Sequence, residues 1–172
     1  MTAFEFLRIA VAVALTGVLV AAAVSDIRRR RIPNWTVLAC LALFAPWAVT
    51  LTAGELGLAA AAFAIAGLGS VGLYAGKIVG AGDTKLFTVL APFAGLALLP
   101  TYAAITAIAG ALVAVAGLAA QPTRAYVVFQ MRGAAPDKGT TPYGVGIAIA
   151  GIAVVWAQLL HFERAISTLP FN

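Results

Sequence analysis

Long stretches without any charged residue constrain this sequence more than any other feature. They cover residues 9–25, 35–54, 56–76, 86–120 and 143–160. A helix that crosses a membrane needs about 20 mostly apolar residues, and each stretch is close to that length or longer. Charged residues make up only 10% of the chain, against about 25% in an average soluble domain. The sequence therefore predicts an all-α membrane protein, with residues 1–172 forming a single membrane-embedded domain.

The stretch 86–120 is too long for one crossing. Its length corresponds to about 50 Å of helix at ~1.5 Å per residue, whereas the hydrocarbon core of a bilayer is about 30 Å thick. Pro100 lies near its middle, where a helix readily breaks. We therefore predict two spans here, at about 84–99 and 101–120, and six transmembrane helices in all.

The placement of the positive charges predicts the orientation. Of the 11 Lys and Arg residues, Arg8 and Arg164 fall on one side, and the other nine fall in the loops 26–34, 77–85 and 121–142 on the opposite side. Loops that face the cytoplasm carry the excess of Lys and Arg. Both termini are therefore predicted to lie outside and the three loops inside. Because this topology accounts for the net charge of +5, the charge does not indicate nucleic-acid binding.

Few other side chains offer chemistry. Cys40 is the only cysteine, which excludes an internal disulfide and a cysteine-rich metal site, and its apolar surroundings in the sequence predict a core residue. His161 is the only histidine, and it stands at the end of the last apolar stretch without an evident Ser or Cys partner. No metal site and no cofactor are predicted.

Two aspartates, by contrast, border membrane spans at the same predicted face. Asp26 follows the first span, and Asp83 precedes the fourth. Ionisable groups in such positions are costly and often functional. One outward and returning excursion of the chain separates the two residues, so they can meet. Taken singly, each also has a structural explanation, because Asp83 can cap the helix that begins after Gly82 and Asp26 can pair with the arginines that follow it.

A pair of close carboxylates has a definite chemistry. Both cannot readily ionise, so they share a proton and titrate as a pair. One carboxylate then takes a proton from water as the water attacks a peptide carbonyl, and the protonated partner hydrogen-bonds the carbonyl oxygen. Gly80 and Gly82 would let a substrate backbone come close to Asp83, and Lys85 would bias the charge of the pair.

Three sequence motifs resemble those of type IV prepilin peptidases. In chain order they are Ser25-Asp26-Ile27-Arg28-Arg29-Arg30-Arg31-Ile32-Pro33-Asn34, Gly80-Ala81-Gly82-Asp83-Thr84-Lys85-Leu86, and Thr141-Pro142-Tyr143-Gly144 after Lys138. The resemblance extends over residues 20–150, approximately. It implies that Asp26 and Asp83 are catalytic. It also marks a set of supporting residues, namely Gly80, Gly82, Lys85, Pro33, Asn34, Pro142 and Gly144.

The resemblance also implies a biological role. Such an aspartic endopeptidase removes the short basic leader of prepilins or pseudopilins at the cytoplasmic face of the bacterial inner membrane, for pilus assembly or secretion. Its partners are that substrate and the lipid bilayer. Larger members carry a further domain with paired Cys-x-x-Cys and often methylate the new N-terminus. With its single cysteine, this sequence is similar to the small members that process Flp-type pilins of tight-adherence systems, and peptidase activity without methyltransferase activity is expected.

Other functions can use the same acids. A small transporter would bind a proton or cation at Asp26 and Asp83, but both acids lie at one membrane edge and no inverted repeat is evident. A non-catalytic assembly subunit would tolerate replacement of either aspartate by asparagine. The presenilin and signal-peptide-peptidase class shares the Gly-x-Gly-Asp motif, but its first aspartate usually follows Tyr, whereas Asp26 follows Ser25.

Overall fold

All the regular secondary structure of the described residues is α-helical. The computed structural model describes residues 2–119 and 143–167, which contain five α-helices and no strand. They are α1 (Ala3–Arg29), α2 (Asn34–Ala48), α3 (Ala53–Ala75), α4 (Ala81–Ala119) and α5 (Tyr143–Ser167). The predicted all-α class is confirmed. The predicted inner loop 121–142, including Pro142, lies outside the described residues.

The helices have the length and composition of membrane-spanning segments. Within the described ranges, four qualify on those two criteria, namely α1, α3, Ala81–Gly117 of α4 and Tyr143–Leu160 of α5. The apolar helix α2 is shorter, at 15 residues. Large apolar side chains also point outward, as for Leu68, which is 78% exposed. Helices that are apolar all round suit a lipid environment, so the fold is that of a membrane protein.

Local hydrogen bonds set several helix ends. At the start of α1, Thr2 and Glu5 form a reciprocal capping box, and Thr52 and Glu55 do the same for α3. In each, a side-chain oxygen and a carboxylate satisfy N–H groups that the first turn leaves without a partner. These boxes fix where the two helices begin, at the end of the molecule that contains Arg8.

The helix α4 reverses direction at Gly95, where φ is 63° and ψ is 175°, a conformation that is essentially restricted to glycine. The rings of Phe87 and Tyr102 stack with centroids 4.6 Å apart, whereas a straight helix would separate these residues by about 22 Å. Segments 81–94 and 96–119 therefore run side by side in opposite directions.

The predicted break at Pro100 is therefore wrong in position, although the predicted division into two segments is right. Pro100 lies inside the helix, early in the second segment. There a proline removes one backbone hydrogen bond without ending the helix. The reversal instead uses the residue that can adopt the required backbone angles, Gly95.

Contacts with α5 fix how the segments of α4 are arranged. A Cβ on Gly151 would lie 3.0 Å from Leu90, and the side-chain amide of Gln158 donates to the carbonyl of Ala94 at 2.8 Å. The first segment of α4 and α5 therefore run in the same direction. Both begin at the end of the molecule where α1 and α3 finish, and that end contains Asp26 and Asp83.

The opposite end is held by a buried arginine. Arg8 is 4% exposed and donates to the hydroxyl and carbonyl oxygens of Thr50 at 2.8 and 3.0 Å. Its guanidinium also lies over the ring of Trp47, 5.4 Å from the centroid, and the charge of Glu55 acts on it. These contacts tie α1 to the end of α2 and the start of α3. We call this the Arg8 end of the molecule.

Replacing Gly95 with alanine should destabilise the protein by about 1–3 kcal/mol, because a side chain disfavours the backbone angles of the reversal. The measurement is thermal unfolding of the purified protein in detergent. The control is Gly69→Ala in α3, where an added Cβ meets no atom within 4 Å and alanine is the better helix former. Equal unfolding temperatures for the two variants would contradict the assignment.

Candidate active site

Asp26 is held by the first turn of another helix. It lies near the end of α1 and is 6% exposed. Its Oδ2 accepts a hydrogen bond from the N–H of Gly144 at 2.9 Å, and the backbone of Val145 also interacts with the carboxyl group. The first N–H groups of a helix have no partner within it, and that end of the helix dipole is positive. The Asp26 carboxylate therefore caps α5.

Asp83 lies in the first turn of α4. The carbonyl of Gly80 accepts hydrogen bonds from both the N–H and the hydroxyl of Thr84, each at 3.0 Å, so Gly80 stands at the capping position. The Asp83 carboxylate reaches back to the backbone of Gly80, as the acidic residue of a capping box does. Asp83 therefore helps to cap α4, as predicted. It does so from within the first turn, because α4 begins at Ala81 and not after Gly82.

Both carboxylates line one open cavity of about 810 Å³. Its walls come from the ends of α1 and α3, the turn before α4, and the first residue of α5, Tyr143. The two aspartates come from helices that are distant in sequence, yet the charge of Asp26 acts on Asp83. The structure thus brings the predicted pair together at one end of the molecule.

Burial raises the pKa of both carboxyl groups. Both carboxylates lie beyond the charge-free stretches 9–25 and 86–120. Burial raises the pKa of Asp83 to about 6, and the negative charge of Asp26 adds to the rise, while the backbone of Gly80 opposes it. Burial also raises the pKa of Asp26, against the opposing effects of Gly144, Arg30 and Val145. One proton can therefore be shared between an ionised and a protonated carboxyl group.

Two motif glycines lie in close contact with Ile32. A Cβ on Gly82 would lie 3.3 Å from the Cβ of Ile32. A Cβ on Gly144 would lie 2.8 Å from both the Cδ1 of Ile32 and the Oδ2 of Asp26. Ile32 thus packs between the starts of α4 and α5. Ile32 belongs to the first sequence motif but is not among the predicted supporting residues, and its place between the arginines and Pro33 is the sequence signal that marks it.

Of the other predicted supporting residues within the described ranges, Gly80 lines the cavity, whereas Pro33, Asn34 and Lys85 do not. Pro33 precedes α2, and its carbonyl accepts the N–H and hydroxyl of Thr36 at 3.1 and 2.7 Å. Asn34 is the exposed first residue of α2. Lys85 is exposed on α4. Lys85 was predicted to bias the charge of the pair. The motif cation whose charge acts on an aspartate is instead Arg30, which acts on Asp26.

Backbone strain is concentrated at the cavity. Within residues 2–119 and 143–167, the non-glycine residues with positive φ are Arg30 (53°) and Lys77 (57°), and both line the cavity. This conformation costs about 1–2 kcal/mol for a residue with a side chain. Lys77 adopts the left-handed conformation that glycine usually adopts just after the end of a helix. The neighbouring glycine, Gly76, stands one position earlier and has an ordinary φ of −73°. Such strain tends to be kept at functional sites.

The comparison with protein families identifies the chain. The sequence model of the type IV leader peptidase family matches residues 13–115, which is more than half of the 172 residues. The chain therefore belongs to this family, and the predicted resemblance is confirmed. The match includes both aspartate motifs and supports a protease. No match was found among curated proteins, and none among solved structures.

Replacing Gly144 with alanine should lower peptidase activity by about tenfold to a hundredfold, because the new methyl group would displace the carboxylate of Asp26, one of the two candidate catalytic residues, and small displacements of catalytic groups are costly. The measurement is the cleavage rate of a prepilin by the purified variant. Gly17→Ala is the control, since a Cβ at that position in α1 meets nothing within 4 Å. Unchanged activity in Gly144→Ala would show that the contact is not needed.

Replacing Asp83 with asparagine should stabilise the fold at neutral pH. Because burial raises the pKa of Asp83 to about 6, the folded protein binds a proton that the unfolded chain has released between about pH 4 and 6. Stability due to this group therefore falls as the pH rises through that window. Thermal unfolding should show a higher midpoint for the variant at neutral pH and no difference at acid pH. A destabilised variant at neutral pH would contradict this.

Proposed function

We propose that this protein is an aspartic endopeptidase that removes the leader peptide from prepilins or pseudopilins at the cytoplasmic face of the bacterial inner membrane. Pilus assembly or secretion would depend on the cleaved product. The observation that carries the proposal is that Asp26 and Asp83 share one open cavity, in a chain of the leader peptidase family. That family does not favour the transporter alternative.

The proposed reaction uses the pair as base and acid together. The ionised carboxylate takes a proton from water while the water oxygen bonds to the carbonyl carbon of the peptide. The protonated carboxyl group donates a hydrogen bond, and then its proton, to the carbonyl oxygen. When the resulting gem-diol intermediate collapses, the carboxyl group that took the proton from water gives it to the leaving nitrogen, the other carboxylate takes a proton from a hydroxyl of the intermediate, and the C–N bond breaks. Each step uses only water and these two side chains.

The cavity is suited to a peptide that is anchored in the membrane. It opens at the end of apolar helices, and apolar side chains such as Ile78, which is 65% exposed, stand beside it. A substrate with an apolar helix would lie along the protein and present the adjacent bond to the pair. The lining contains three cations, Arg30, Arg31 and Lys77, beside the two carboxylates. We therefore place the basic leader outside the cavity.

We also propose six crossings with both termini outside, in a single domain spanning residues 1–172. The reversal at Gly95 supports this count, because it divides α4 into two segments and gives six helical segments in the described ranges. The four arginines 28–31, together with Lys77 and Lys85, stand near the end that contains the aspartates, whereas Arg8 stands at the opposite end. The excess of positive charge at the aspartate end supports the proposal that this end faces the cytoplasm.

Asp26→Asn and Asp83→Asn should each abolish leader removal from a co-expressed prepilin, because each leaves the pair without one of its two roles. The readout is the mobility of the pilin, with the membrane level of each variant measured in parallel. Glu5→Gln is the matched control, since Glu5 is an acid in the capping box of α1 at the Arg8 end. Normal cleavage by either aspartate variant would exclude the mechanism.

Mass spectrometry of the product in the same experiment reports the new N-terminus. An unmethylated amine is expected, in keeping with the single cysteine of the chain. A methylated product that depends on this chain alone would contradict the expectation of peptidase activity without methyl transfer.

A further inference from the structure

We infer that Gly110, which belongs to none of the three sequence motifs, positions Asp26 for the reaction. It contacts the first turn of α5, and the N–H of Gly144 in that turn donates to the Asp26 carboxylate. The inference rests on the proposed function, because it adds a positioning residue to that mechanism. Gly110 lies in the second segment of α4 and is not one of the described residues that line the cavity. It therefore acts only through other residues.

The first turn of α5 faces Gly110 with two residues. A Cβ on Gly110 would lie 2.9 Å from the Cδ1 and 3.1 Å from the Cε1 of the Tyr143 ring. A Cβ on Gly146 would lie 2.7 Å from the backbone nitrogen of Gly110 and 3.0 Å from its Cα. Residues three apart lie on one face of a helix, so Tyr143 and Gly146 form a single contact surface. At Gly146 the backbones of α4 and α5 approach each other directly, as small residues allow.

The same turn is confined on a second side. Gly144 lies about 100° round the helix from Tyr143. A Cβ on Gly144 would lie 2.8 Å from both the Oδ2 of Asp26 and the Cδ1 of Ile32. The turn is therefore in close contact with α4 on one side and with Asp26 and Ile32 on another. A movement of the turn away from Gly110 would change its contacts with Asp26.

A methyl group on Gly110 would cause such a movement. Non-bonded carbon atoms have their best separation at about 3.5–4.0 Å, so a contact at 2.9 Å requires a shift of about half an ångström or more. The Cδ1 of Tyr143 belongs to a rigid ring close to the backbone, and an aromatic residue in a helix has few rotamers. The backbone of Tyr143 would therefore move with its ring. Gly144 is the next residue, so its hydrogen bond to Asp26 would lengthen.

The test is the pH dependence of kcat and kcat/KM for the purified full-length protein acting on a prepilin. Gly110→Ala should lower kcat by about tenfold, since small displacements of catalytic groups are costly. It should also move the kcat/KM profile to higher pH by about half a unit, because a weaker hydrogen bond to the Asp26 carboxylate disfavours its ionised form. A fraction of inactive protein would lower the profile without moving it.

The shift reports on the hydrogen bond to Asp26 because the charges around this carboxylate stay the same in Gly110→Ala. The charged residues that line the cavity with Asp26 are Asp83, Arg30, Arg31 and Lys77. The matched control is Gly117→Ala, in the same segment of α4, where an added Cβ meets no atom within 4 Å. Its rate and its pH profile should equal those of the wild type.

A double-mutant cycle isolates the contact between Gly110 and the Tyr143 ring. Atoms of that ring are the described ones that a Cβ on Gly110 meets within 4 Å. In Tyr143→Ala the ring is absent, so adding Gly110→Ala should cause no further loss of rate and no further shift. In Tyr143→Phe the ring is kept, so adding Gly110→Ala should cause the full loss and the full shift.

Three results would overturn the inference. The first is an equal loss from Gly110→Ala with and without the ring, and the second is a lower rate with an unmoved pH profile. The third concerns folding, which thermal unfolding in detergent follows for every variant. If Gly110→Ala alone does not fold, the double variant with Tyr143→Ala should fold and have the activity of Tyr143→Ala, and an unfolded double variant would contradict the contact.

Failure of this inference is distinguishable from failure of the proposed function. A wild-type rate and profile in Gly110→Ala, when Asp26→Asn and Asp83→Asn are both inactive, removes the role of Gly110 and keeps the pair. Cleavage by either asparagine variant removes the proposed mechanism, whatever the result at Gly110.

Discussion

The hydrogen bond from the N–H of Gly144 to the Asp26 carboxylate joins parts of the chain that are 118 residues apart. It meets two needs at once, since a buried carboxylate requires donors and the start of a helix has N–H groups without acceptors. Because the two groups satisfy each other, α5 can begin next to the end of α1 with little free space. The lack of a side chain at Gly144 follows from this contact, as does the packing of Ile32 against it.

The two ends of the molecule are built differently. At the Arg8 end, side chains tie the helices together around a smaller cavity of about 210 Å³, as Arg8 does with Thr50 and Trp47 and as Gln158 does with Ala94. At the aspartate end, the helices leave an open cavity with charged residues around it. The contacts at the Arg8 end fix the directions of the helices. The aspartates are therefore held in position although the cavity between them stays open.

The same features that serve chemistry oppose stability. Burial raises the pKa of Asp83 toward neutral pH, which means that its ionised form is costly in the fold. Arg30 and Lys77 hold left-handed backbone conformations at the cavity wall, where glycine would be less strained. Proteins commonly accept such costs at a functional site and recover stability elsewhere. Here the hydrogen bonds of Arg8 and the close contacts of α5 with α4 are interactions that offset such costs.

The sequence by itself determined the class of fold and the pair of residues. In lipid, the backbone N–H and C=O groups of a long charge-free stretch have no water to bond. A helix satisfies all of them within its own segment, so such stretches predict membrane-spanning helices. Asp26 and Asp83 each border such a stretch, and each stands in one of the two aspartate motifs. Local sequence was therefore enough to select them as the candidate pair.

Tertiary structure alone decided how the site is assembled. Sequence favoured Pro100 as the break because proline is the stronger local signal, but the reversal depends on backbone angles that only glycine adopts, at Gly95. Likewise, Lys85 was the nearest cation to Asp83 in sequence, whereas Arg30 acts on Asp26 across the end of α1. Electrostatic influence depends on distance and burial in three dimensions, and spacing along the chain does not give either.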